Sequence, residues 1–314
     1  MAGIVTMPFS KQFLLLIAAW LLALPALAAT GGGQTGAQSL RLLRGARPVG
    51  MGGAYVAVAS GADSILWNPA GMDQLRALQA DYGHLAWLDG VSDDSLQVAM
   101  PIYGLGGWGV GVNYLYAQDQ AYDNWGNPGD NFNLFDFSAQ AAMSVELPAD
   151  MHAGGVYKIL REGYGSQFAM GSGFDFGWQW RNLFKRLDLG LGAYNIGTPI
   201  ALGGNFAVLP ITLKGGAALH LTDSWLLAVD YDHQPVDFFN TWHFGTEYAY
   251  QLGDWQLVGR GGYSLGAEQD QGDLAGLALG FGVGTGKWMV DYAFTPQGDL
   301  GTAHRLSLTW SSWN

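Results

Sequence analysis

The feature that most constrains this chain is a two-residue rhythm of apolar and polar side chains. In the run FDFSAQAAMSVE, Phe135, Phe137, Ala139, Ala141, Met143 and Val145 share one side. Asp136, Ser138, Gln140, Ser144 and Glu146 share the other. Only an extended strand sends successive side chains to opposite faces, so each such segment divides an apolar phase from a polar one. The rhythm recurs at Trp108, Val110, Val112, Tyr114 and Tyr116, at Phe174, Phe176, Trp178 and Trp180, at Trp225, Leu227, Val229 and Tyr231, and at Trp288, Val290, Tyr292 and Phe294. A soluble sandwich also alternates. Here the apolar face is long and aromatic while the opposite face carries Gly, Ala, Ser and Asp, which is the pattern of a transmembrane barrel with a polar lumen.

The first residues carry Lys11, the apolar stretch Phe13 to Leu24, and Ala26-Leu27-Ala28. That order reads as a secretory leader, residues 1–28, cleaved after Ala28. No later stretch reaches the roughly 18 apolar residues of a spanning helix. With no cysteine in the chain, a lipoprotein anchor and disulfides are excluded. Charged residues make up 13% of the chain and glycine 48 of 314 positions, about half and about twice the usual shares. Low charge suits a lipid-facing exterior, and the net charge of -12 argues against nucleic acid as a partner.

Residues 29–37 are small and polar and read as a flexible lead-in. From Ser39 to Met72 the chain is too glycine-rich for one helix and too irregular for a membrane strand. Short helical turns are expected, with Asp63 as a cap for Ser64 to Trp67 and Gly71 as a stop. Residues 29–75 are therefore assigned to a lead-in and plug, and 76–314 to the barrel. Candidate strands fall near 78–87, 95–102, 105–117, 132–146, 151–161, 167–180, 187–197, 210–221, 225–232, 242–252, 255–264, 274–284, 287–295 and 303–313. Fourteen is an even number, as closure of first strand on last requires in bacterial barrels. A lumen of that size invites a plug. Arg41, Arg44 and Arg47 would dock against the inward-projecting Asp136, Asp175, Asp230, Glu247 and Asp291, unless the arginines form a solvated patch, and exposed pairs are each worth about 0–1 kcal/mol.

Motifs for chemistry are weak. Gly262-Tyr-Ser264-Leu-Gly266 matches the hydrolase elbow but ends a strand, where the motif needs a strand-to-helix turn. Gly104-Leu-Gly106-Gly-Trp-Gly109 opens a strand rather than a helix, so it does not cradle a pyrophosphate. The histidines at 84, 152, 220, 233, 243 and 304 lack zinc-site spacing. The loop from Asp119 to Asn131 is oxygen-rich without the spacing of an EF-hand. No catalytic residue, metal site or cofactor is expected. The last strand ends on Trp313-Asn314 rather than on an aromatic.

The stretch from Gly45 to Ala59, GARPVGMGGAYVAVA, followed by Trp67-Asn68-Pro69-Ala70-Gly71, resembles the N-terminal signature of PorV/PorQ proteins within the FadL-like outer-membrane barrels. Asn195-Ile-Gly197, Leu209-Pro210, Arg260-Gly-Gly-Tyr263 and Gly301-Thr-Ala-His-Arg305 agree. The resemblance implies a fourteen-stranded barrel with an N-terminal hatch in the outer membrane, with lipid as its surroundings and no enzymatic activity. Two jobs follow from it. The leading one is to bind or shuttle exported proteins in type IX-like secretion, with secreted proteins or secretion subunits as partners. The other is passive conduction of fatty acids or other hydrophobic small molecules. In either case Arg47 and Trp67 to Gly71 would shape the lumen. Gly50, Gly52 and Gly53 would serve as a hinge, or else form tight turns in a static plug.

Overall fold

Alternating segments whose neighbours run antiparallel can satisfy every backbone polar group only by closing on themselves. The computed structural model describes residues 35–87, 90–123, 125–202, 205–266, 274–298 and 301–312, and in it they do so. The wall is made of β1 (Gln79–Ala86), β2 (Ser92–Ile102), β3 (Gly106–Tyr122), β4 (Pro128–Leu147), β5 (Met151–Tyr164), β6 (Gln167–Leu183) and β7 (Leu187–Gly197). After a small hairpin, β8 (Ile200–Leu202) and β9 (Asn205–Ala207), it continues with β10 (Thr212–Thr222), β11 (Trp225–Gln234), β12 (Phe239–Leu252) and β13 (Trp255–Leu265). The last three strands are β14 (Leu277–Thr285), β15 (Trp288–Pro296) and β16 (Thr302–Ser311). Fourteen of these strands form a closed antiparallel barrel, with Gln79 of β1 opposite Ser311 of β16. The structure is thus an all-β transmembrane barrel.

The rings that alternate in sequence point outward. Trp108, Val110, Val112, Tyr114, Phe174, Phe176, Trp288, Val290 and Tyr292 are exposed on the outer face. Their partners in the rhythm, Asn113, Ser138, Gln140, Asp175, Asp230 and Asp291, are buried inside. One rim carries tight turns such as 103–105, 223–224 and 286–287, and the other carries longer connections apart from the two-residue turn 165–166. Trp108, Trp178, Trp180, Trp225, Trp255, Trp288 and Trp310 all sit a few residues from the turn rim. They form a girdle there, with the Trp288 and Trp310 rings tilted against each other at 6.5 Å. Indole rings favour the headgroup level, so this girdle marks one membrane boundary.

Several sequence expectations need correction. The oxygen-rich loop 119–131 is mostly strand, because Gln120 pairs with Asn131, β3 runs on to Tyr122 and β4 begins at Pro128. Within that turn Asp123 accepts hydrogen bonds from Trp125 N and Asn127 N, so its oxygens serve the loop itself. Ser64–Trp67 is helical, but the Asp63 side chain does not cap it and accepts from Tyr55 Oη at 3.1 Å instead. Gly71 does not stop a helix; it lies inside the 3-10 turn Pro69–Gln74, where a Cβ would stand 2.3 Å from Ala59 O. The hairpin β8–β9 has no counterpart in the sequence reading, since three-residue strands are too short to show a period. The leader 1–28, the start of the lead-in and Trp313-Asn314 lie outside the described residues.

Candidate functional site

The described N-terminal segment, residues 35–75, runs through the lumen from the loop rim to the turn rim. It starts where Thr35 donates to Asp237 at 2.7 Å, and on the turn side Ala62 N donates to Gln79 Oε1 at 2.7 Å, beside the first strand. The short helix Ala46–Gly50 lies on β13 to β16, and the turn Pro69–Gln74 lies on β2 to β6. Between them Met51, Ala54, Tyr55 and Ala57 form a core with Ala218, Leu226 and Ala228 of the wall.

Backbone meets backbone at these contacts because the facing wall positions are glycine. A Cβ on Gly262 would stand 2.2 Å from Gly52 N, one on Gly154 2.4 Å from Pro69 C, and one on Gly190 2.5 Å from Val56 O. Gly50 approaches Gly280 in the same way, with its Cβ position 2.9 Å from Gly280 Cα. Gly52 (φ +65) and Gly53 (φ +86) also adopt left-handed backbone, which a side chain would strain.

Charge holds the segment to the wall. Arg47 makes a bidentate pair with Glu247, both contacts 2.9 Å, and donates to Tyr55 Oη at 3.1 Å. Glu247 also accepts from Arg260 Nε at 2.6 Å, and Arg260 Nη1 donates to Asp291 at 2.6 Å. Two cations and two carboxylates are thereby linked in one chain, buried at Arg260 and Asp291 and partly exposed at Arg47, the arrangement in which such groups are tolerated away from water. Arg44 is bidentate to Asp93 at 2.7 and 2.9 Å. Arg41 pairs with Asp237. Asp136 faces Ser39 and Arg44, while Asp175 pairs with Lys158 of β5 at 2.7 Å rather than with an arginine of the segment.

Asp230 plays a different part from the one its charge suggests. Its Oδ2 accepts from Tyr55 N and Val56 N, each at 2.7 Å, in a fully buried site. Hydrogen bonds to a charged acceptor are worth roughly 1.5–3 kcal/mol each. Asp230→Ala is therefore expected to loosen the turn by about 3 kcal/mol, read as a lower thermal midpoint of the heat-modifiable electrophoretic band. An unchanged midpoint would argue that these bonds contribute nothing net.

The signature Trp67 to Gly71 is locked from several sides. Trp67 Nε1 donates to Arg44 O at 3.0 Å, and the Tyr194 hydroxyl donates to Trp67 O. Asn68 Nδ2 donates to Val56 O at 2.8 Å and Trp178 O at 3.1 Å, while its Oδ1 accepts from Ala70 N. Pro69 opens the 3-10 turn that follows. Gln179, Tyr194 and Asp93 escaped the sequence reading, and Arg260 entered it only as part of the resemblance, without its ionic role. Asp93 could have been found, because Asp93, Ser95 and Gln97 continue the inner face of β2 beyond its expected start.

Ser264 and His243 are directly opposite on paired strands, with Ser264 Oγ 3.0 Å from His243 Nδ1. His243 Nε2 lies 3.4 Å from Asp232. Ser264 Oγ nevertheless donates to Gly52 O at 2.8 Å, and His243 Nδ1 is 2.7 Å from the same carbonyl. The pair thus latches the inner segment.

The segment divides the interior into two chambers. On the turn side a polar cavity of about 510 Å³ is lined by Arg47, Asp63, Arg76, Asp81, Glu247 and Arg260. Burial pushes the Asp63 carboxyl there up to about 7, with repulsion from Asp81 adding to the effect. On the loop side a cavity of about 540 Å³ lies between Leu40, Leu42, Leu43, Leu66 and Trp67 of the segment and the wall residues Tyr194, Lys214, Asp232 and Phe239.

No protein-family model matches the sequence, and no curated protein matches it either. Solved structures do match in fold. The CymD monoaromatic hydrocarbon channel gives a TM-score of 0.58 at 14% identity, covering 86% of this chain and 98% of that one. The Pseudomonas putida toluene transporter TodX gives 0.56 at 12%, covering 83% and 95%. A Pseudomonas aeruginosa FadL homologue gives 0.56 at 11%, covering 86% and 99%. At such identities the likeness speaks for architecture, and the narrower PorV/PorQ assignment is carried by sequence resemblance alone. The chain has the FadL-like fold, a closed fourteen-stranded barrel, and its own N-terminal segment lies inside.

Proposed function

We propose that this protein is a non-enzymatic outer-membrane conduit for hydrophobic small molecules, exported by a cleavable leader, with residues 29–75 acting as its hatch and 76–314 as its wall. The observation that carries this reading is the loop-side cavity. Four leucines and a tryptophan of the hatch turn toward the lumen there, and a water-filled pore would have no use for them. The volume suits a small organic molecule. An apolar skin with a tryptophan girdle supports lipid as the surroundings. The fold-level relatives, a toluene transporter and a monoaromatic hydrocarbon channel by name, weigh in the same direction.

The test is to determine the structure with bromobenzene present and locate the bromine by its anomalous scattering. A peak beside Trp67 and Leu43 is the expected result. Peaks confined to the detergent-covered exterior would count against a conduit. The alternative, a carrier for exported proteins of PorV/PorQ type, rests on the sequence resemblance at Gly45 to Ala59 and Trp67 to Gly71. Co-purification from native membranes of secreted proteins sharing a C-terminal domain would favour it.

A further inference from the structure

A cation on the lipid-facing side of a barrel is costly at mid-bilayer and nearly free of cost at the interface, so its height says what it meets. Among the described residues, five lysines and arginines of the wall strands, Lys158, Arg181, Lys214, Arg260 and Arg305, point inward. Arg161 points out, sharing the outer face of β5 with the exposed Tyr157 and Ile159. Its register partners are Phe137 of β4 and Met170 of β6, yet its guanidinium lies over two other rings, Phe135 at 5.6 Å and Phe168 at 4.9 Å. Both rings are two residues nearer the loop rim. The side chain therefore climbs toward the loop side, as long cationic side chains do when they reach for a membrane interface.

Met170 and Trp180 of the turn-side girdle are ten residues apart on β6, which is about 26 Å along the membrane normal for a strand tilted by about 40°. An apolar band is about 25 Å tall, so the guanidinium stands at the opposite boundary, on the side that longer loops mark as the cell's exterior. Just above that level the outer face of β3 and β4 changes from the rings Tyr116 and Phe135 to the amides Gln118, Asn131 and Asn133. Among the described residues no carboxylate pairs with Arg161, whose outward neighbours Phe135, Phe137, Phe168 and Met170 carry no charge. Two aromatic faces fix the plane of a guanidinium and leave its edge of N–H donors open, the geometry that takes a phosphate through two parallel hydrogen bonds. We propose that Arg161 binds a phosphate of the phosphorylated glycolipid of the outer leaflet, with Gln118, Asn131 and Asn133 turned to its sugar. Charge complementarity selects the phosphate, and the amides select a sugar headgroup over that of a phospholipid. The site lies on the outer skin, so it needs the barrel to stand in an outer membrane but is independent of what the lumen conducts.

The experiment is native mass spectrometry of the full chain in detergent, titrated in turn with diphosphoryl lipid A, fully dephosphorylated lipid A and phosphatidylglycerol. The parent is expected to bind diphosphoryl lipid A about tenfold or more tightly than Arg161→Gln does, the effect of losing a charge-assisted hydrogen bond. Arg161→Lys, which keeps the charge but loses the planar fork, should fall between them. Dephosphorylated lipid A should bind parent and Arg161→Gln alike, and phosphatidylglycerol should bind the parent more weakly than diphosphoryl lipid A. Heat-modifiable mobility checks that each variant is folded, and Arg161→Lys decides alone if Arg161→Gln is not. Equal binding of diphosphoryl lipid A by parent and variants, or a loss that dephosphorylated lipid A shows as well, overturns the phosphate site. Phosphatidylglycerol bound as tightly as diphosphoryl lipid A overturns the selection of a glycolipid.

Discussion

Glu247→Leu is expected to lower the stability of the docked state by about 3–5 kcal/mol and to raise single-channel conductance in planar bilayers. The carboxylate stands between two guanidiniums, Arg47 from the N-terminal segment and Arg260 from β13, at 2.9 and 2.6 Å. Removing it leaves the buried Arg260 and the partly exposed Arg47 facing each other with only Asp291 to share. Breaking a buried pair from one side costs far more than replacing both partners with apolar groups. The double variant Arg47→Met/Glu247→Leu, which keeps the Arg260–Asp291 pair, should therefore recover much of the lost stability. Its conductance should still exceed that of the parent, because the segment has lost its tie to β12. If Glu247→Leu alters neither melting nor conductance, the ionic chain does not hold the segment in place.

Gly262→Val should leave the barrel folded while preventing the N-terminal segment from seating. A Cβ at Gly262 would meet Gly52 N and Met51 C at 2.2 Å, both backbone atoms that cannot swing aside. Overpacking against side chains already costs about 1–3 kcal/mol, and here no rotamer change relieves the clash. Trypsin is the measurement, since Arg41 and Arg44 are cleavage sites withdrawn into the lumen in the docked state, whereas Arg47 precedes Pro48 and is not cut. The variant should be cut after Arg41 or Arg44 under conditions that spare the parent. Gly259→Val is the control, because Gly259 faces outward on the same strand with nothing within 4 Å of its Cβ position. Equal resistance of Gly262→Val and Gly259→Val would mean that the close approach is dispensable.

The two substitutions separate what the residues reveal locally from what they reveal only in the fold. Gly262 and Gly259 are indistinguishable by composition, yet the phase of the rhythm puts one inside and one outside. Phase was readable: each of the fourteen expected segments overlaps a wall strand, and Asp136, Asp175, Asp230, Glu247 and Asp291 all lie on the inner face. Which acid meets which arginine was much less so. Glu247 receives Arg47, but Arg41 and Arg44 turn to Asp237 and Asp93, and Asp175 turns to Lys158. Asp230 holds backbone amides rather than any cation.

The alternation of side chains determined by itself that this chain folds as strands, which face each residue occupies, and that the outer face is apolar and the inner one polar. Those properties are local, because a strand's side-chain period is two residues whatever its neighbours are. The path of residues 35–75 through the lumen, the partners of its arginines and the cavity beneath Leu43 and Trp67 were decided only by the tertiary structure. They join residues as far apart as Arg47 and Glu247. Such contacts depend on barrel curvature and backbone packing, neither of which leaves a period in the sequence.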